Sequence, residues 1–338
     1  MSNEKKYKVG IVGATGLVGQ ELITLLTERE FPIENVRLAA SKNSIGEDFQ
    51  CMGKTYQVEI LSTDFFENLD LCFFCASPKI SEEYAAIALD RGCFVIDKNV
   101  IDGQEYRSVV VPEVNIEDLH SMSSKYVRNP SSITIPLALV LSLLAPVYRP
   151  KRVFASSYQS VSAEGQRGIE ELTSQVGAMF SYQETQSKVF PQRIAFNLIP
   201  NVGGLGPEGF SYEEKRVEEE LQQVLHRPDL HSHFHLTYVP TFIGSGISLS
   251  VECERAIDVE EVRALLCDSK TVKVIDSPGK GAYPVLLDVQ GQDEVFVGRI
   301  RTKTEDPKVL DLWIVNDNLK RGGALNFVQL AENFISKG

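Results

Sequence analysis

Long hydrophobic runs are missing from this chain. The longest apolar stretch, Ile133 to Val147, is broken by Pro136, Ser142 and Pro146 and is too short to cross a bilayer. No long basic run occurs, and 34 Lys and Arg are outnumbered by 46 Asp and Glu, a formal charge of −12. That balance argues against a sequence-independent grip on nucleic acid and against attraction to an anionic membrane. The 6 cysteines are scattered, at 51, 72, 75, 93, 253 and 267, unlike the dense pattern of a small secreted scaffold. The opening MSNEKKYKVGIVG holds no apolar signal core or cleavage site. Together these features predict a soluble, reduced, cytoplasmic protein. At 338 residues, 43 % apolar and 24 % charged, the chain is long enough for two domains and needs neither disulfide nor metal to be stable.

The first part alternates strands and helices. Lys8 to Val12, Val36 to Ala40, Leu71 to Ala76 and Cys93 to Ile96 are short apolar runs suited to buried parallel strands. GATGLVG, Gly13 to Gly19, follows the first of them and leads into the helical stretch QELITLLTER; Tyr84 to Asp90 reads as another helix. The fold class predicted is therefore α/β, a Rossmann-type doubly wound parallel sheet over residues 1–130. Beyond Pro130 the pattern predicts helices at Ile135 to Ala145 and Gly168 to Val176. Strands are expected at Arg152 to Ser157, His235 to Val239, Ile247 to Glu252, Val285 to Val289, Glu294 to Arg301 and Leu310 to Val315. Their period-two alternation predicts a more antiparallel α+β domain over 131–317, before a last helix from Asn318 to Ile335.

Gly13, Gly16 and Gly19 stand three apart between strand and helix. Glycine permits a tight turn and close approach to a pyrophosphate, while the helix N-terminus supplies N–H groups. This predicts a nicotinamide dinucleotide at Gly13, Thr15, Gly16, Leu17 and Val18. After the second strand no carboxylate appears before Glu47, whereas Ser41, Lys42 and Ser44 could hold a 2′-phosphate. NADP is thus expected over NAD, with NAD an alternative. Three other signals read more simply as structure. His231, His233 and His235 would share a strand face too cramped for a tetrahedral metal, so no metal is expected. Cys72 and Cys75 form a CxxC inside an apolar strand and read as buried small residues. The run Glu213 to Gln223 reads as a solvated helix face.

With those residues read, the chain from Val9 to about Phe334 resembles the aspartate-β-semialdehyde dehydrogenase family. The marks are GATGLVG, SKNSIG (41–46), VPEVN (111–115), Asn129-Pro130, SYQSVSAEGQRG (157–168), QRIAFNLIPNVG (192–203), DEVFVGRIR (293–301) and DNLKRGGALN (317–326). The resemblance implies a reductive dephosphorylation: a cysteine thiolate attacks an acyl phosphate, NADPH delivers hydride to the thioester, and an aldehyde leaves. It also implies a histidine acid/base, an arginine on the substrate carboxylate, and an arginine and a lysine on the phosphate. It adds Ala76 and Asn318 to the cofactor residues and Asn129 to the substrate residues. A C-terminal segment 318–338 returning to the first domain and a homodimer through the open sheet face are implied as well.

The catalytic positions depart from the family pattern. Asn-Pro-Asn-Cys-Ser-Thr is replaced by Asn129-Pro130-Ser131-Ser132-Ile133-Thr134, so Ser132 stands at the nucleophile position. A hydroxyl is a weak nucleophile without an adjacent base. Thr134 before Pro136 reads as a helix N-cap, which makes the serine pair loop-and-cap chemistry. Tyr238 stands at the carboxylate arginine and Ser245 at the histidine, neither able to do that work. No arginine occupies the phosphate position in Ile96 to Gly103, Arg107 would need a loop shift, and Asp102 would repel phosphate. Gln159 matches the glutamine that orients the acyl intermediate, Glu213 and Glu214 the acidic pair, and Arg216 the phosphate lysine. The expectation is a dinucleotide-binding homologue that has lost the standard reaction. The alternatives are an active NADP-dependent oxidoreductase on aspartyl phosphate, aspartate semialdehyde or a related acyl phosphate, and a regulatory or structural partner of an active paralogue. A small-molecule ligand is expected; nucleic acid and membrane are not.

Overall fold

The computed structural model describes residues 5–101 and 108–336. Asp102, Gly103 and Arg107 lie outside the described residues. The chain divides into two compact units, Met1–Pro130 with Gly323–Gly338, and Ser131–Gly322.

The first unit contains β1 (Tyr7–Val12), α1 (Leu17–Glu28), β2 (Ile33–Ala40), β3 (Asp48–Cys51), β4 (Lys54–Ile60), β5 (Leu71–Phe74), α2 (Pro78–Asp90), β6 (Phe94–Asp97), α3 (Pro112–Ser121) and β7 (Tyr126–Arg128). Its seven strands run in the order β3-β4-β2-β1-β5-β6-β7, parallel except for the β3–β4 pair. The chain leaves β1 toward β2 and later adds β5 on the other side, so the switch point of the doubly wound sheet lies at the carboxyl end of β1. A buried apolar cluster that includes Val9, Ile11, Leu22, Leu26, Phe73 and Phe327 fills one face, and the C-terminal helix Leu325–Ser336 packs there against α1 and α3. The β3–β4 hairpin, with Met52 and Gly53 at positive φ, and α3 were not legible in the apolar runs.

The second unit contains α4 (Thr134–Tyr148), β8 (Pro150–Ser160), α5 (Gln166–Phe180), α6 (Tyr212–Val224), β9 (His231–Val239), β10 (Ser245–Cys253), α7 (Val259–Cys267), β11 (Val272–Val274), β12 (Val295–Lys303) and β13 (Asp306–Asn316). Six strands run in the order β11-β12-β13-β10-β8-β9, with β10 antiparallel to both β8 and β13. Helix α4 is buried nearly all round, which is where the longest apolar stretch goes. Among the described residues no helix is long and apolar enough to cross a membrane.

Three local expectations need correction. Val285 to Val289 is not a strand: the Asp288 carboxylate accepts from the Val285 amide at 2.8 Å and winds Leu286–Asp288 into a short 3-10 turn. The final helix does not begin at Asn318. Asp317 takes the amides of Leu319 and Lys320, and its carbonyl takes the Gly322 amide. This makes a wide π turn at Lys320–Ala324 before the α-helix starts at Leu325. Nor is Thr134 the N-cap of α4. Ile133 holds that position without a side-chain bond, and the Thr134 hydroxyl donates to Glu220 at 2.8 Å.

The glycine turn is set by packing. Gly13 has φ +88, and a Cβ on Gly19 would stand 2.3 Å from the Gly13 carbonyl oxygen and 2.9 Å from the Ala14 Cα. These are main-chain atoms that cannot rotate away. Gly19→Ala should therefore lower the unfolding free energy by roughly 1–3 kcal/mol, the usual cost of an overpacked contact. Urea titration followed by circular dichroism checks this; an unchanged midpoint would show that the turn relaxes freely.

Candidate functional site

In the first unit the site forms at the carboxyl ends of the parallel strands. The Gly13 and Ala14 amides donate to the Ala39 carbonyl at 2.8 and 3.1 Å, tying the turn to β2. A Cβ on Gly13 would stand 2.8 Å from the Ala76 nitrogen, so the turn also rests against the end of β5. Gly13, Ala76 and the exposed Gly16 thus meet at the switch point. Gly16 precedes α1 without a side-chain cap, and no acidic residue occupies the first helical turn. The amides of Thr15, Leu17 and Val18 lie at this helix entrance, where N–H groups lack helical partners and suit an anion. Ser41 and Lys42 are exposed after β2, and Ser44 closes a turn onto the Ser41 carbonyl at 3.0 Å. Asp97, buried at the end of β6, is ringed by Ser81, Asn99 and Tyr126, and burial pushes its carboxyl up from the usual range. Asn129 is buried and uses its carbonyl oxygen on the Asn326 amide at 2.8 Å.

In the second unit the site is a row across the sheet. Asn316 on β13 stands opposite Ser245 on β10, Ser245 opposite Gln159 on β8, and Gln159 opposite Tyr238 on β9. Residues paired in register point to one face, so four buried polar side chains share it. The row closes into a circuit through the helices. A Cβ on Gly322 would lie 3.1 Å from the Asn316 Nδ2 and 2.8 Å from the Ser132 Cβ. Its neighbour Ser131 donates its hydroxyl to Glu213 at 2.5 Å, and a Cβ on Gly203 would sit 3.2 Å from the Glu213 Cβ. The Gly203 amide in turn lies against the Tyr238 hydroxyl.

The electrostatics of this circuit are acidic. The Tyr238 hydroxyl donates to Glu164, and burial followed by the nearby Glu164 and Glu213 charges holds its phenol far above the usual range. The Arg216 guanidinium is shared between Glu220 at 2.7 Å and Glu213 at 3.7 Å. Glu220 is 0 % exposed and also accepts from the Ser131 amide and the Thr134 hydroxyl. The segment Glu213 to Gln223 is therefore not a fully solvated face: Val217, Glu220, Leu221 and Val224 are buried along one side of α6. Glu214 completes a capping box with Ser211 and accepts from the Leu236 amide, a structural duty.

The circuit brings together Ser132, Ser245, Gln159, Tyr238, Glu213 and Arg216. It does not bring in Asn318, whose amide oxygen accepts from Gly244 at 2.7 Å and whose nitrogen donates to Ser162, fixing the turn into β10. Ser131, Glu164, Glu220 and Asn316 were missed. Arg216 and Glu220 stand four apart on a helix, which could have flagged that pair; register across strands, invisible in sequence, places Asn316.

Among the described residues no thiol or imidazole belongs to the circuit. Cys253 is at the far end of β10 from Ser245, and burial pushes its thiol up to about 12. Cys72 and Cys75 are buried in the first unit, with Cys75 pushed up to about 12 by burial. His231, His233 and His235 are exposed on the face of β9 opposite Tyr238. The Tyr238 end is walled by a segment without regular structure. Glu171 and Gln175, one turn apart on α5, accept the amides of Lys188, Val189 and Phe190 and of Ile194 and Ala195. Phe190 then lies edge-on to Tyr238, centroids 5.0 Å apart.

Residues 8–122 match the NAD binding domain of semialdehyde dehydrogenase, and residues 141–321 its dimerisation domain. Aspartate-semialdehyde dehydrogenase of Rickettsia conorii is 38 % identical over 340 residues, covering 98 % of both chains. A USG-1 protein homolog of Azotobacter vinelandii is 35 % identical over 331 residues, again 98 % of both. The crystal structure of aspartate semialdehyde dehydrogenase II from Vibrio cholerae, complexed with ASA, superposes with a TM-score of 0.93 at 31 % identity, covering 98 % of this chain and 99 % of that one. With its NAD-binding and dimerisation domains both matched, this chain belongs to the aspartate-semialdehyde dehydrogenase family.

Proposed function

We propose that this protein is an NADP(H)-binding, dimeric member of the family that has lost reductive dephosphorylation of aspartyl phosphate. The observation that carries this is the makeup of the circuit: hydroxyls at Ser132 and Ser245, a phenol at Tyr238, and, among the described residues, no thiol or imidazole beside them. Hydride transfer in the family's manner needs a thioester, and Ser132 has no base in hydrogen-bond contact among the described residues. The Tyr238 hydroxyl keeps its proton and donates its hydrogen bond to Glu164, so a substrate carboxylate approaching it meets that carboxylate's negative charge. The glycine turn supports retained nucleotide binding. On the sheet's open face, Phe154 is exposed and stacks on His233, apolar surface that suits pairing with a second copy or an active paralogue. A second reading, a surviving oxidoreductase, is favoured by one contact: Ser131 donates to Glu213 at 2.5 Å, a hydroxyl beside a carboxylate base.

Phosphate-dependent NADP reduction on aspartate semialdehyde separates the two readings. The unmodified protein should be inactive or several powers of ten below an active enzyme, each factor of ten being about 1.4 kcal/mol of barrier. Ser132→Cys alone should give no measurable turnover. Adding Ser245→His and Tyr238→Arg should give at most slow turnover, because the phosphate arginine is still missing from Ile96 to Gly103. Robust activity in the unmodified protein sinks the proposal, and its loss in Ser131→Ala would then favour the second reading.

The cofactor preference is tested on the loop after β2. Lys42→Ala should narrow the preference for NADPH over NADH by roughly 1–2 kcal/mol, one charge-assisted contact. Fluorescence titration of both nucleotides measures it, and an unchanged ratio removes Lys42 from the 2′-phosphate site.

A further inference from the structure

We propose that the first unit carries a second small-molecule site, at the amino ends of its parallel strands, which takes a small aromatic monocarboxylate. The glycine turn lies at the carboxyl end of β1. A separate cavity of about 360 Å³ opens at the other end of that strand. It lies among the starts of β1 and β6, the end of α3 and the last turn of the C-terminal helix. That volume is in the range of small-ligand pockets. Its inner wall is apolar: Tyr7, Phe94 and Leu119 are buried there, and Met122, Phe334 and Ile335 are half-buried beside them. The Phe94 and Phe334 rings stack with centroids 3.8 Å apart, so the wall is built largely of aromatic surface.

The charges at its rim are cationic, on a chain whose formal charge is −12. Lys5 and Lys125 both line the cavity, and among the described residues no carboxylate does. The Lys5 ammonium lies 5.0 Å from the Tyr7 ring centroid. Lys125 donates to the Gly92 carbonyl at 3.0 Å, which leaves two of its three N–H groups for a ligand. Two carboxylates are close by and engaged elsewhere. Glu117 faces His120 at 3.9 Å with most of its side chain in solvent, and Asp70 accepts from the Lys8 amide at 2.8 Å. The Tyr7 hydroxyl gives an independent sign. Its side chain is 6 % exposed and lines the cavity, yet the hydroxyl makes no hydrogen bond among the described residues. A buried phenol ordinarily has a partner, and a carboxylate oxygen in the cavity supplies one. An aromatic ring suits the apolar wall, and a carboxylate on a short stem suits the two lysines and the phenol.

The test is a ligand-observed NMR titration of the full-length protein with 3-phenylpropanoate, against 3-phenylpropylamine and hexanoate. The amine keeps the shape and reverses the charge; hexanoate keeps the charge and lacks the ring. The aromatic acid should bind, hexanoate more weakly, and the amine not at all. Lys125→Gln and Tyr7→Phe should each weaken 3-phenylpropanoate several-fold, with a thermal midpoint that stays close to the parent's and reports a folded protein. Tyr7 and Val12 are about 17 Å apart along β1, so saturating NADPH should leave the titration unchanged. The inference is overturned by an absence of acid binding, by the amine binding as well as the acid, or by displacement with NADPH. Unaltered affinity in both variants overturns it too, and tighter binding of hexanoate removes the aromatic assignment.

Discussion

A buried carboxylate fixes where the chemistry of the second unit sits. Glu220 has no exposed surface, and it accepts from the Ser131 amide, the Thr134 hydroxyl and the Arg216 guanidinium. A charge out of water is tolerated only when it is paired and hydrogen-bonded, so these three donors cannot drift from it without a large cost. Helix α6 and the first turn of α4 are thereby locked together. Ser131 and Ser132, just ahead of the Ile133 cap of α4, inherit their position from that lock, and Glu213, two turns back along α6, is carried into reach of the Ser131 hydroxyl.

The other half of the circuit depends on strand register. Tyr238 near the end of β9 and Ser245 at the start of β10 lie close in sequence, yet they are separated in the sheet by β8 and flank Gln159 in one row. An imidazole and a guanidinium at those two places would put cationic capacity on both sides of the glutamine. Here both are neutral, and the nearest charges on the Tyr238 side are carboxylates.

Much of the first unit was legible because parallel strands buried on both faces leave continuous apolar runs, and the glycines at 13, 16 and 19 mark where the first strand ends. Polar, half-exposed β3 and β4 leave no such trace. The expected strand at Val285 to Val289 failed for a local reason, since Asp288 reaches back to the Val285 amide and makes a turn from strand-forming residues. Motif resemblance singled out Ser132, Gln159, Tyr238 and Ser245, which the structure brings into one circuit, but it gave no sign of the burial of Glu220 or the place of Asn316. Those depend on partners from 71 to 89 positions away, such as Ser245 opposite Asn316 and Ser131 on Glu220.

The wall beside Tyr238 has an unusual freedom. Its path is stored in Glu171 and Gln175 on α5, which hold five main-chain amides between Lys188 and Ala195 and none of the side chains those amides carry. Main-chain amides are common to every residue but proline. The exposed positions Lys188, Gln192 and Arg193 can therefore change during evolution while the segment keeps its course, whereas the buried Phe190, Ile194 and Ala195 stay tied to the packing around them.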